Sequence, residues 1–201
     1  MKTIKPLTVI LTFFVAIPTA FSQPDTVKIK ERALFFADSL IKTDAYNDPQ
    51  SYADLAPASV LKHYGGRQGF IEHFEKIHPR TVSGKDEDYP ERHVVTLMTK
   101  DDQWQCVIRV SRYLHREGKK YHLVTYFLGQ SKDEGETWRI FDVNYNAVAS
   151  VIYLMPDVFG ELPIPQPYTI SEEEELAKEQ AAATVAKKTA PRKKLTGGAG
   201  R

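Results

Sequence analysis

Proton transfer is the catalytic chemistry for which this 201-residue sequence offers the most coherent set of side chains. Asp142 and His122 are the candidate bases, because a carboxylate or a neutral imidazole can take a proton from an acidic C–H group. Arg112 is the polar residue that we expect to point inward and to pair with Asp142, since a buried guanidinium needs an acceptor. That pair is interpreted first as a structural ion pair, and alternatively as a ligand-binding or catalytic one.

The residue patterns that would support metal binding or nucleophilic catalysis are weaker than those for proton transfer. His73 and His78 lie five apart on one predicted helix, so they point in different directions and cannot share an ion. Glu75 and His78 have the spacing of half a di-iron site, but the second copy that such a site needs is missing. Cys106 sits among apolar residues, where a buried structural thiol is expected. The sequence therefore predicts no metal site and no cofactor.

Residues 131–138 match the Ser-x-Asp-x-Gly-x-Thr-Trp pattern of the Asp box, which recurs in the blades of sialidase-like β-propellers. The pattern occurs once here, behind a helical segment, so we interpret it as a structural hairpin turn. In that turn Ser131 and Asp133 accept from backbone amides, Gly135 supplies a positive φ, and Trp138 packs. The alternative, a sugar-related role, requires Trp138 to be exposed.

The N-terminus predicts export. Lys2 and Lys5 precede an apolar run over residues 7–17, which is too short to span a bilayer, and a small-x-small cleavage pattern ends at Ser22. We therefore predict a signal peptide over residues 1–22 and a periplasmic or secreted protein. The alternative is an uncleaved N-terminal anchor. No later stretch is apolar enough to be a transmembrane segment.

The amino-acid composition limits the classes of binding partner that we expect. The chain has 27 Lys and Arg residues, 26 Asp and Glu residues and a single cysteine. This balance gives no reason to expect nucleic acid as a partner, and one cysteine allows no intrachain disulfide.

Hydrophobic periodicity predicts three helical stretches before the first strand. The first runs from about Thr26 to Ala45, capped by Asp25 or Thr26. The second begins at Asp48-Pro49, is interrupted at Pro57 and stops at Gly65-Gly66. The third carries apolar residues at helical spacing and ends at His78: Phe70, Ile71, Phe74 and Ile77.

Beyond residue 79 hydrophobic residues recur at every second position, as they do in β-strands. Segments 92–99, 103–115, 121–130 and 138–143 are predicted strands joined by three turns, hence an antiparallel meander. Segment 103–115 alternates as a half-buried strand does. Helices followed by such a meander are an α+β signature.

The C-terminal part is predicted to lie outside this domain. Residues 161–201 begin as a Pro-rich connector and continue as a charged segment with few large hydrophobic residues, which is typical of a disordered tail. One domain over residues 23–160 remains.

The order of these elements resembles the nuclear transport factor 2-like superfamily, which includes SnoaL-type cyclases. The resemblance covers about residues 26–145 and rests on Tyr64-Gly65-Gly66, the strands over 103–130, and residues 138–143. It implies a cone-shaped fold, with three helices packed on a curved sheet around a small cavity. The pocket residues that we expect in such a cone are Arg112, Tyr126, Trp104 and Ile108, although alternation on the strand of Tyr126 leaves open which face meets the helices.

Members of that superfamily include enzymes and non-catalytic modules, so the resemblance does not choose the function. The leading interpretation is a non-catalytic exported module that binds a small apolar ligand or a protein partner, with a homodimer as a candidate assembly. The alternative is an isomerase, cyclase or dehydratase that uses Asp142 or His122 as its base.

Overall fold

The computed structural model describes residues 25–77, 89–143 and 150–189. The predicted signal peptide over residues 1–22 lies outside the described residues, as do residues 190–201. Helices come first and an antiparallel sheet follows, so the α+β prediction is confirmed. The elements are α1 (Thr26–Ala45), α2 (Pro49–Leu55), α3 (Ala58–His63), α4 (Arg67–Ile77), β1 (Glu91–Lys100), β2 (Gln103–Arg116), β3 (Lys119–Ser131), β4 (Arg139–Asp142), α5 (Val151–Leu154), β5 (Tyr168–Ser171) and α6 (Glu172–Thr189).

The N-terminal helices begin where the capping residues predict. Asp25 Oδ1 accepts from the backbone N–H groups of Val27 at 3.0 Å and Lys28 at 3.3 Å. Asp48 caps α2 in the same way, with Pro49 at its first helical position. The second predicted helical stretch is two short helices, α2 and α3, because Pro57 separates them.

The sheet has the order β1-β2-β3-β4, as the predicted meander requires, together with a fifth strand. β5 pairs with Tyr121 to Val124 in the N-terminal half of β3, and β4 pairs with the C-terminal half along the same edge. The prediction of a disordered tail from residue 161 is therefore wrong for residues 168–171, which form β5, and the helix α6 follows them. A pattern of four residues was too short to reveal a strand that exists only by pairing with β3.

Both faces of the central strands β2 and β3 are covered, whereas β1 has no fully buried residue. On the helix face, defined by Cys106, Ile108 and Val110 of β2, α1 contacts β1, β2 and β4, and α2 contacts β4. Arg92 of β1, which pairs with Val110, forms an ion pair with Asp38 of α1 and so links the two layers on this face.

The opposite face, which we call the tail face, is covered by the chain after α5. Gln105 is fully buried there: its Nε2 donates to the Asp157 carbonyl at 2.7 Å, and its Oε1 accepts from the Phe159 N–H at 2.9 Å. The prediction that residues 103–115 form a half-buried strand is thus wrong for its central part. Polar Gln105 looks exposed in an alternating pattern, yet a covering loop satisfies both ends of its amide.

The first turn of α6 also contacts the tail face. Lys120 Nζ lies 2.9 Å from Glu172 Oε1, and His122 Nδ1 lies 2.5 Å from Glu175 Oε1. These two contacts hold the start of α6 against the N-terminal half of β3. Among the residues that the structure describes, no helix is both long and apolar enough to cross a membrane.

Close packing on the helix face depends on a glycine. A Cβ atom at Gly129 would lie 2.7 Å from Cys106 Sγ, 3.0 Å from the Trp138 ring and 3.3 Å from Ile140. All three neighbours are almost completely buried, so none can move away freely. Only a residue without a side chain fits here.

We therefore expect Gly129→Ala to lower the free energy of unfolding by about 1–3 kcal/mol, through overpacking. Gly160→Ala is the matched control, because nothing lies within 4 Å of a Cβ atom there; its effect should stay within about 0.5 kcal/mol. Urea denaturation of both variants checks the difference. Equal stability of the two variants would contradict the packing described for Gly129.

The cover over the tail face can be tested at Gln105. Gln105→Leu keeps the bulk but removes the partners of the Asp157 carbonyl and the Phe159 N–H, so we expect a loss of about 1–3 kcal/mol. Gln103→Leu, two residues earlier on the same strand, should cost less than about 0.5 kcal/mol. The measurement is again denaturant unfolding, and amide hydrogen exchange at Phe159 should accelerate only in the Gln105 variant.

Candidate functional site

A cleft opens between the short helices and the edge strand β4. It is an open concavity of about 460 Å³, of which about 40 Å³ is accessible to the centre of a water molecule. Because one buried water needs about 10–15 Å³ in the latter measure, the deep part is small. The lining residues are Tyr52, Ala56, Val60, Tyr64, Phe70, His73, Phe74, Ile77, Ile140, Phe141 and Asp142.

Helix geometry brings the aromatic side chains of the lining together. On α4, Phe70, His73 and Phe74 have i, i+3, i+4 spacing and lie on one face. Tyr52 of α2 packs against this face, with ring centroids 4.5 Å from Phe74 and 6.1 Å from Phe70. Tyr64, the C-cap of α3, lies 5.6 Å from Phe70 and stacks on His73 at 4.3 Å. The cleft wall is therefore one continuous aromatic cluster.

Few polar groups line the cleft. Asp142, at the end of β4, accepts a long 3.5 Å hydrogen bond from the Thr125 hydroxyl. Burial is the largest cause of the lowered pKa of His73, and the positive charges of the nearby Lys76 and His63 lower it further. The imidazole is therefore neutral at pH 7. Burial also raises the pKa of Tyr64. The cleft thus offers a carboxylate, a neutral imidazole and phenol groups beside apolar rings.

The two candidate bases lie on opposite faces of the sheet. Asp142 pairs with Phe127, which pairs with Ile108 on the helix face, and Asp142 lines the cleft. His122 pairs with Tyr113, on the tail face. The two candidate bases therefore cannot act together in one pocket, because side chains alternate along each strand and the register between strands fixes which of them share a face.

The contacts of His122 indicate a structural role, in which it links the sheet to α6. Its ring stacks on Tyr113, with centroids 4.8 Å apart, and its Nδ1 contacts Glu175 of α6. Lys120 Nζ lies 4.2 Å from the centroid of the same Tyr113 ring. This cluster attaches α6 to the sheet.

The predicted pocket residues do not line the cleft. Trp104 and Ile108 are buried in the core of the helix face, and Tyr126 is buried on the tail face. Arg112 does share the helix face with Asp142, as expected. The two lie on either side of β3, opposite Leu123 and Phe127, so they are offset by about 13 Å along that strand. Their ion pair stays a prediction.

The Asp box forms the predicted structural turn. Ser131 Oγ accepts from the Gly135 N–H at 3.0 Å, and Asp133 Oδ1 accepts from the Thr137 N–H at 2.9 Å. The hydrogen bond from the Thr137 hydroxyl is the main reason why the pKa of Asp133 is lowered. Trp138 is 1% exposed and donates through Nε1 to the Gly135 carbonyl. The exposed tryptophan that a sugar-related role would need is not present.

Other chemistry has little support. Burial raises the pKa of Cys106 to about 12, so this thiol is neutral and inert at physiological pH. Within residues 25–77, 89–143 and 150–189, no group of three or more His, Cys, Asp and Glu side chains is placed to hold a metal ion.

Sequence reasoning missed the helical residues of the cleft, above all Tyr52, Tyr64 and His73. A signal was present for His73: it falls on the same helical stripe as Phe70, Phe74 and Ile77, where a polar residue must face the interior or a cavity. Tyr52 and Tyr64 carried no such signal, because they lie in or beside helices of seven and six residues.

Comparison with known proteins supplies no relative: no protein-family model, curated protein or solved structure matches the chain. The functional argument therefore rests on the cleft and its residues.

The lowered pKa of His73 predicts a pH dependence of stability. Above the unfolded-state value near 6.5 the neutral ring is favoured in both states, and its full contribution is present. As the pH falls below that value, the unfolded chain binds the proton first and stability is lost. Unfolding of the wild type should therefore become easier between pH about 7.5 and about 5.5, and His73→Gln should flatten this slope. His115→Gln, at an exposed position, is the control; parallel curves for wild type and His73→Gln would refute the assignment.

Proposed function

We propose that this protein is a small-molecule-binding module whose ligand occupies the cleft between α2, α3, α4 and β4. The observation that carries the proposal is the composition of the lining, in which five aromatic rings surround very few polar groups. Ligand sites are concave and mostly apolar, with a small number of polar groups that fix orientation. The cleft has this character.

The dimensions favour a small ligand. The enclosed part of the cleft, with about 40 Å³ accessible to the centre of a water molecule, is far smaller than the about 300–1,000 Å³ typical of pockets for drug-sized ligands. This deep part accepts a compact group, and the remainder of a ligand would lie in the open mouth beside Ile77, which is 43% exposed. A steroid-sized molecule would project into solvent.

We further propose that the fold is of the nuclear transport factor 2-like type and that the protein is exported. Helices ahead of an antiparallel sheet, with a cleft between the two layers, support the first point. The basic, apolar and small-residue pattern of residues 1–22 supports the second. The fifth strand and the covered tail face are departures from the simple cone that the sequence predicts, and they leave less sheet surface for a homodimer.

A second candidate function is proton-transfer catalysis in the same cleft. The observation that favours it is the presence of two different titratable groups in one lining, the carboxylate of Asp142 and the neutral imidazole of His73. In this reading Asp142 removes a proton from an acidic C–H group and His73 hydrogen-bonds to the substrate.

The binding function can be tested with the full chain and a panel of monocyclic and bicyclic aromatic compounds. A ligand at 100 times its dissociation constant should stabilise the protein by about 2.7 kcal/mol. Ile77→Trp should abolish this effect by filling the mouth of the cleft. Ile152→Trp is the matched control, since Ile152 is 66% exposed on α5 and does not line the cleft.

Stabilisation that persists in Ile77→Trp would place the ligand elsewhere, and no stabilisation by any compound would overturn the proposal. Catalysis is distinguished by incubating each bound compound with the protein in D₂O. Enzyme-dependent exchange of a C–H hydrogen that disappears in Asp142→Asn would support the second candidate, and binding without exchange would support the first.

A further inference from the structure

We propose that β1 pairs with β1 of a second copy of this chain, antiparallel and about a two-fold axis, so that two sheets join edge to edge. This interface uses the edge of the sheet and not one of its faces. It goes beyond the proposed binding function and does not rest on it, because the cleft lies beside β4, at the other end of the strand order β1-β2-β3-β4.

β1 is a long and partly apolar edge strand. Among the strands formed by residues 25–77, 89–143 and 150–189, β1 pairs with β2 alone. It has ten residues, whereas β4 and β5 at the opposite edge have four each. Val95, at its middle, is 41% exposed, and the neighbouring Val94 and Leu97 are only partly buried. Edge strands are usually short and polar, because their outward N–H and C=O groups are a template for another strand.

A bulge in β1 favours a second copy over an unrelated strand. Val94 pairs with Ile108 and Thr96 pairs with Val107, so Val95 is one extra residue in β1. Against a regular strand at the outer edge, Val95 would again be left without a residue opposite it. Against a second copy, each strand carries one extra residue at the same place, so the two strands keep equal length on both sides of the axis.

The bulge also fixes the register of this pairing. Residues that lie directly opposite each other in an antiparallel pair point to the same face. The pairing with β2 puts Arg92, Val94, Leu97 and Thr99 on the helix face and Glu91, His93, Met98 and Lys100 on the tail face. An axis between Val95 and Thr96 places each residue opposite one of its own face. The opposed pairs are Glu91 with Lys100, Arg92 with Thr99, His93 with Met98, and Val94 with Leu97.

The side chains in this register are complementary. Glu91 and Lys100 are exposed residues at the two ends of β1, so the dimer brings together opposite charges at each end of the shared strand pair. Val94 and Leu97 make apolar contacts near the axis, and none of the four pairs opposes two like charges. Pairs of these kinds stabilise antiparallel strands. Within one chain Glu91 and Lys100 lie about 30 Å apart, because nine residue steps of about 3.3 Å separate them.

Charge reversal at the ends of β1 tests the interface. The measurement is sedimentation velocity of the full chain from micromolar to millimolar concentration, since one strand pair buries a modest area and binds weakly. Glu91→Lys should raise the dimer dissociation constant at least about tenfold, because two attractive pairs become repulsive. Adding Lys100→Glu to it should restore the constant to within about threefold of the wild type. Only a contact between copies gives this rescue, given the distance within one chain.

A matched control separates pairing from net charge. Glu91→Lys combined with Lys62→Glu has the same net charge as the rescued variant, but Lys62 is an exposed residue of α3, a helix that contacts α4 and α5. This control should stay as weak as Glu91→Lys alone. Equal recovery in the control and in the charge swap, or a chain that remains monomeric at every concentration, would overturn the proposal.

Cross-linking of the wild-type chain tests the register without any variant. A carbodiimide joins a carboxylate to an amine as an amide, with loss of water, and adds no spacer. We expect mass spectrometry of the covalent dimer to show a link between Glu91 of one copy and Lys100 of the other. The covalent monomer should lack this link, because the two groups lie too far apart in one chain. A dimer joined only at other residues would overturn the proposed interface, whatever ligands the cleft binds.

Discussion

The long β2–β3 hairpin is the constraint on which the rest of the molecule depends. Its ladder pairs every residue from Trp104 to Arg116 with a partner on β3, and buried apolar residues lie on both of its faces. An antiparallel hairpin of this kind cannot leave either face in water, because each exposed apolar face would forfeit the main favourable term in folding. The helices cover one face and the chain after α5 covers the other. The domain is accordingly larger than the predicted one, and its C-terminal limit lies beyond residue 160.

The cleft is a product of how the helix layer meets the sheet. A long helix, α1, packs across β1, β2 and β4, whereas α2, α3 and α4 are shorter, and only α2 of these three makes extensive contact with β4 at the sheet edge. Short helices that change direction at Pro57 and at the positive-φ pair Gly65-Gly66 cannot fill the space as closely as one straight helix does. Aromatic side chains with large flat surfaces fill most of the gap, and the remainder is open to solvent.

Local signals predicted much of the fold but little of the site. Asp25 and the stripe that follows it predicted the bounds of α1, and the Asp box predicted its own turn, because these features depend on neighbours in the chain. The site depends on cross-strand register, which alternation within one strand cannot supply. His122 and Asp142 illustrate this: alternation left open which face of β3 carries His122, and only the pairing of β3 with β2 and β4 shows that the two side chains lie on opposite faces. The burial of Gln105 and the formation of β5 likewise depend on contacts between residues about fifty apart in sequence.

The fifth strand has a consequence for how the chain reaches its final state. Among the residues that the structure describes, β5 is the last strand to be synthesised, and it pairs with Tyr121 to Val124 at the edge of β3. During translation this edge of β3 remains unpaired until some forty-five further residues have been added. A ribosome-bound or prematurely terminated chain that stops before Tyr168 would therefore present an open strand, rich in aromatic and β-branched residues, to neighbouring chains. By pairing with this edge, β5 protects the folded chain from associating with other copies through β3.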